Sequence, residues 1–224
     1  MNDSPGSFVS HAGSTKVLTS FLVGFLLLCL AARWAFGFLS LPYLPAISFI
    51  SETGMFVFFL LLTIRCGTGW RWSVFTLLAI AQSAALVAAL FYSLSQLYGY
   101  SSRYDFSSWF RLFRLHANIL WAAAIAIVYF KLQSGRMPLC AALLLTTYLL
   151  LCIICDGVEQ YLMPVTGAFP GLAAIHNAVC WWTQSLSPDA SGMAEMEHYT
   201  LRIVLTCFFI GAYGLNKPTK SYSL

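Results

Sequence analysis

Trp72-Ser-Val-Phe-Thr-Leu-Leu-Ala-Ile-Ala-Gln-Ser-Ala-Ala-Leu-Val-Ala-Ala-Leu-Phe-Tyr-Ser-Leu94 contains no acidic or basic side chain. At a helical rise of about 1.5 Å per residue it is long enough to cross a hydrocarbon core roughly 30 Å thick. Similar apolar stretches occupy residues 17–39, 46–64, 115–132, 137–155 and 199–215. Lipid offers the backbone no hydrogen-bond partner, so each span must satisfy its own N–H and C=O groups as a helix; a β-barrel needs shorter, alternating segments. The expected fold is all-α, a polytopic integral membrane protein with six transmembrane helices. It forms one membrane domain, 17–215, between a polar N-terminal tail, 1–16, and a C-terminal tail, 216–224.

Composition supports this expectation. Hydrophobic residues make up 59% of the 224 and charged residues 9%, against about a quarter charged in soluble domains. The net charge of +4 does not point to nucleic acid, because the twelve Lys and Arg are scattered and form no cluster that could track phosphates. Most of the seven cysteines lie in apolar runs, where cysteine acts as a small hydrophobe. Cys152-Ile-Ile-Cys155 has the spacing of a redox pair, but no loop-borne cysteine pair accompanies it, and chance spacing explains it better. His176, His198, Glu195 and Glu197 lack a compact metal-ligand spacing and read as loop residues. No cofactor is implied.

Punctuation between the spans fits helical hairpins. Leu41-Pro-Tyr-Leu-Pro45 stops one helix and prepares the next, and the basic turn Arg65-Cys-Gly-Thr-Gly-Trp-Arg71 precedes the third span. A polar loop is expected up to about Arg114. Residues 170–187 are apolar enough to lie on or dip into the membrane as a seventh, interfacial or re-entrant segment, with Trp181 and Trp182 suited to the headgroup region.

With six spans, Lys16, Arg65, Arg71, Lys131, Arg136, Lys217 and Lys220 fall on one side, with Asp3 as its acid. Arg33, Arg103, Arg111, Arg114 and Arg202 fall on the other, with Glu52, Asp105, Asp156, Glu159, Asp189, Glu195 and Glu197. Basic residues concentrate on the cytoplasmic side, so both termini are expected there.

Polar residues at membrane depth are the natural place to look for chemistry. Ser48, Ser51, Glu52 and Thr53 begin the second span, His116 and Asn118 begin the fourth, and Asp156 and Glu159 end the fifth, all toward the non-cytoplasmic face. A hydroxyl, an imidazole and a carboxylate at one level are the elements of an activated nucleophile. The same residues also suit plainer roles: Ser48 at a helix start, His116 bonded to a neighbouring carbonyl, Asp156 and Glu159 as solvated acids.

Ile47-Ser48-Phe49-Ile50 followed by Val57-Phe58-Phe59, then His116, Tyr148, Gly157, Tyr161 and Pro164, resembles the androgen-induced protein family of multispan membrane hydrolases of fatty-acid esters. The resemblance covers about 47–164. Ser48 stands where the family has threonine, and Met163 where it has the tyrosine of a Tyr-Pro pair. The resemblance implies a lipid ester hydrolase in which Ser48 attacks the carbonyl and His116 is the base, with Asp156 or Asn118 orienting the ring; membrane lipids are then its partners. The alternative is a non-catalytic subunit of a larger membrane complex, packing through small residues such as Ala84, Ala85, Ala88, Ala89 and Ala122–Ala124.

Overall fold

The structure is a computed structural model that describes residues 5–38, 44–66, 69–98, 106–131, 136–157, 161 and 192–215. Six helices hold all the described residues except Gly69 and Tyr161: α1 (Pro5–Phe38), α2 (Leu44–Cys66), α3 (Trp70–Tyr98), α4 (Phe106–Lys131), α5 (Arg136–Gly157) and α6 (Gly192–Leu215). Proline stands in the first turn of α1 (Pro5), α2 (Pro45) and α5 (Pro138), where its missing N–H has no intrahelical acceptor to lose. Before α3, Gly69 takes φ of 95°, a left-handed conformation open to glycine, and its carbonyl accepts from the Ser73 N–H at 3.2 Å.

The all-α membrane fold is as expected, but three helices begin earlier than the hydropathy suggests. The backbone is helical from Pro5, so most of the polar tail extends α1; prolonging a formed helix needs no new nucleus. α6 likewise begins at Gly192 rather than Tyr199. The third case matters most for the interior. Residues 106–114, expected as loop, form the first turns of α4. Phe106, Trp109 and Phe113 recur at helical spacing and stack on Phe91 of α3 with centroids 5.7 to 6.3 Å apart, and Phe110 meets Tyr92 at 5.5 Å. Their apolar contact outweighs the loop-like charges among them. The expected segment 170–187 lies outside the described residues.

The helices close into a ring. Each packs on its neighbours in the chain, and α6 returns to α1. Short connections favour such antiparallel neighbours. Four helices contain stretches long and apolar enough to cross a membrane: Val17–Phe36, Ala46–Ile64, Trp70–Ser95 and Ser108–Lys131. Shorter apolar stretches, Leu139–Ile154 and Tyr199–Ala212, belong to α5 and α6. Apolar side chains such as Phe21, Leu28, Ile64 and Phe130 point outward, as the lipid face of a membrane bundle requires.

Close approach of α1 to α2 depends on Gly54. A Cβ there would lie 2.2 Å from the Phe25 ring. Gly54→Ala is therefore expected to force Phe25 aside and cost about 1–3 kcal/mol. Thermal unfolding in detergent checks this, and adding Phe25→Ala is expected to recover part of the loss; a wild-type melting temperature for Gly54→Ala would refute the contact.

Candidate functional site

The ring interior divides along the bundle axis. Near the end where α1 finishes and α2 begins, side chains from all six helices form a buried polar network. Toward the other end, Phe58, Phe59 and Leu62 of α2, Val74, Phe75 and Leu78 of α3, Val128 of α4 and Phe209 and Ile210 of α6, with Thr19 of α1, line a small apolar pocket of about 30 Å³.

Glu52 is central to the network. It lies six residues into the Ala46–Ile64 stretch, about 9 Å along the helix. Its carboxylate pairs with Arg202 Nη2 of α6 at 3.3 Å and accepts from the amide of Gln82 on α3. The Gln82 amide also reaches the Glu52 carbonyl at 3.4 Å, and its own Oε1 accepts from Trp121 Nε1 of α4 at 3.3 Å. Gln82 and Trp121 each lie thirteen residues from the same end of their stretches, which places them at one level. Below Trp121, Phe59 packs edge-on at 5.5 Å and begins the apolar half.

A second ion pair joins α4 to α5. Arg114 Nε reaches the two Asp156 carboxylate oxygens at 2.9 and 3.2 Å, Nη2 also donates to Asp156, and the guanidinium lies 4.5 Å from the Phe110 ring. Both partners are buried, which explains the bidentate geometry: a charge taken out of water must find its full complement of partners. Tyr148 and Cys152, one turn apart on α5, are buried on the same helix as Asp156.

The third part of the network ties α1 to α2 and α6. Arg33 donates to Ser48 Oγ and places its guanidinium 4.2 Å from the Tyr199 ring centre. The adjacent Trp34 donates to Thr200 Oγ1 at 2.9 Å.

The expected site residues are distributed differently from the proposed triad. Ser48 sits inside α2, not at its cap, and its hydroxyl partners Arg33. His116 is on the outer surface of α4, where Nδ1 donates to the Leu112 carbonyl at 2.7 Å. Asn118 is buried but bonds neither Ser48 nor His116. Asp156, expected as a ring orienter or a solvated acid, is buried against Arg114, and Glu159 lies outside the described residues. The structure thus does not bring Ser48 and His116 together.

What the sequence reading passed over is the arginine set. Arg33, Arg114 and Arg202 look like loop charges because each lies close to an expected span boundary, yet Arg33 and Arg114 are buried and Arg202 is largely so. Two signals were available: Gln82 as an amide in the middle of an uncharged run, and the helical spacing of aromatic residues from Phe106 to Phe113. Among the described residues no three His, Cys, Asp or Glu side chains gather as metal ligands. Comparison of the chain with protein-family models, curated proteins and solved structures gives no match.

Proposed function

We propose that this protein holds an amphiphilic lipid inside its helix ring, with the polar head in the network around Glu52 and Arg202 and an acyl chain in the apolar pocket. The observation that carries this reading is the axial division of one interior into a polar half fed by all six helices and an apolar half lined by Phe58, Leu78 and Phe209. Ionisable residues are expensive in a bilayer and tend to mark ligand or ion paths. Ligand sites combine a mostly apolar wall with a few convergent polar groups.

The lipid ligand of the hydrolase expectation is retained here, without its catalytic step. No base bonds Ser48, and His116 faces outward. The subunit alternative stays a second reading: Ala85, Ala88, Ala89 and Ala124 are buried within the chain, whereas Ala84 and Ala122 are half-buried and Ala123 is exposed. Arg33, Arg114 and Arg202 are interior ligands of the network and so fall out of the topology count. The remaining basic residues then lie more strongly on the side of the termini, which supports a cytoplasmic location for both ends.

The test is to purify the chain in mild detergent and quantify co-purified amphiphiles by mass spectrometry. Leu78→Trp and Val128→Phe fill the apolar pocket. Each is expected to reduce retained lipid roughly fivefold with the helical content intact by circular dichroism, the overpacking itself costing about 1–3 kcal/mol of stability. Equal retention by wild type and both variants would overturn the reading.

A further inference from the structure

Within the polar network, the Tyr199 hydroxyl is left over. Tyr199 is 8% exposed, yet its hydroxyl makes no hydrogen bond of normal geometry, although a buried tyrosine hydroxyl ordinarily has a partner. Ser51, whose hydroxyl donates to the Ser48 carbonyl at 2.8 Å, lies beside it as an acceptor within approach, without a well-formed bond. The Arg33 guanidinium lies over the same ring, and Ser48 Oγ accepts from Arg33. The nearby Glu52 carboxylate is already held by Arg202 and Gln82.

We propose that Arg33, Ser48, Ser51 and Tyr199 form a phosphate subsite for a phospholipid head group, closed in this structure by Arg33 turned in on Ser48. The proposal rests on the amphiphile reading above and names its head group. A guanidinium binds phosphate oxygens through two parallel N–H donors. The hydroxyls of Ser48, Ser51 and Tyr199 come from α2 and α6, so the donors approach from three helices and suit a tetrahedral anion better than a planar carboxylate. When Arg33 rotates from Ser48 to the phosphate, the Ser48 hydroxyl changes from acceptor to donor. The Tyr199 hydroxyl gains the acceptor it lacks.

Access is through α1. It is the least enclosed of the four long spans, with 28% of its apolar window buried against 39 to 50% in the others. It sits between α2 and α6, and those two helices are joined behind it by the Glu52–Arg202 pair. Moving α1 therefore opens the subsite toward lipid while the rest of the ring stays joined.

The test uses the full chain in detergent, following thermal stability against dioctanoyl phosphatidate, dioctanoylglycerol and inorganic phosphate. Phosphatidate is expected to bind about tenfold more tightly than the neutral glyceride, the scale of one charge-assisted hydrogen-bond set. Tyr199→Phe is expected to remove most of that advantage and raise the melting temperature of the lipid-free protein. A merely structural Tyr199 would not combine those effects. Ser51→Ala provides a second variant with the same expected direction in phosphatidate affinity. Unchanged phosphatidate affinity in both variants, or equal affinity for phosphatidate and glyceride, would overturn the phosphate subsite while leaving the amphiphile reading intact. Stabilisation by inorganic phosphate equal to that by phosphatidate would overturn the lipid source of the phosphate. No binding of either amphiphile would overturn the amphiphile reading, and this proposal with it.

Discussion

Arg114→Leu is expected to destabilise the protein by about 3–5 kcal/mol, because it leaves the Asp156 carboxylate buried without its guanidinium. Asp156 is 1% exposed, and Arg114 holds it from α4 through both oxygens, so no solvent is at hand to take over. Thermal unfolding in detergent measures the effect, with a fall in melting temperature on the order of 10 °C for a chain of this size. Arg114→Lys keeps the charge but not the planar fork, and is expected to lose less. Replacing both partners, Arg114→Leu with Asp156→Leu, is expected to restore most of the stability, since a matched apolar pair strands no charge. If single and double variants melt alike, the loss comes from packing and the ion-pair argument fails.

Glu52→Ala is expected to have a comparable effect, about 3 kcal/mol or more, for a different structural reason. It unpairs Arg202 and deprives the Gln82 amide of its carboxylate acceptor, so one substitution disturbs α2, α3 and α6 together. Glu52→Gln keeps an acceptor for Gln82 but no charge for Arg202, and is expected to fall between Ala and wild type. A double-mutant cycle with Arg202→Met isolates the pair; a coupling of about 1–3 kcal/mol is expected. A coupling near zero would mean that the contact across α2 and α6 contributes little beyond packing.

These two ion pairs show where the sequence could be read and where it could not. Glu52 was visible as an acid inside an apolar run, because position within the run is a local property. Arg114 was not. Its burial depends on residues 106–113 being helical, and that depends on Phe91 of a different helix receiving Phe106, Trp109 and Phe113. Arg33 and Arg202 were hidden in the same way, since a charge near the end of a span looks alike whether it faces a headgroup or a neighbouring helix. His116 shows the same limit from the other side. Its position one turn into a span gives its depth but not which side of the helix faces inward; the His116 side chain is exposed and bonded to the Leu112 carbonyl, the plainer of its two expected roles.

By itself, the sequence determined that this chain is a bundle of membrane helices, and nearly determined where they lie, because the need to satisfy backbone hydrogen bonds in lipid is met span by span. Only the tertiary structure decided that the ring closes through α1 and α6, which arginines belong inside, and that Tyr199 and Arg33 meet beside Ser48. The physical reason is that hydrophobicity sets depth along one axis, whereas rotation about each helix is set by the side chains of its neighbours. A polar site in a membrane is specified by both.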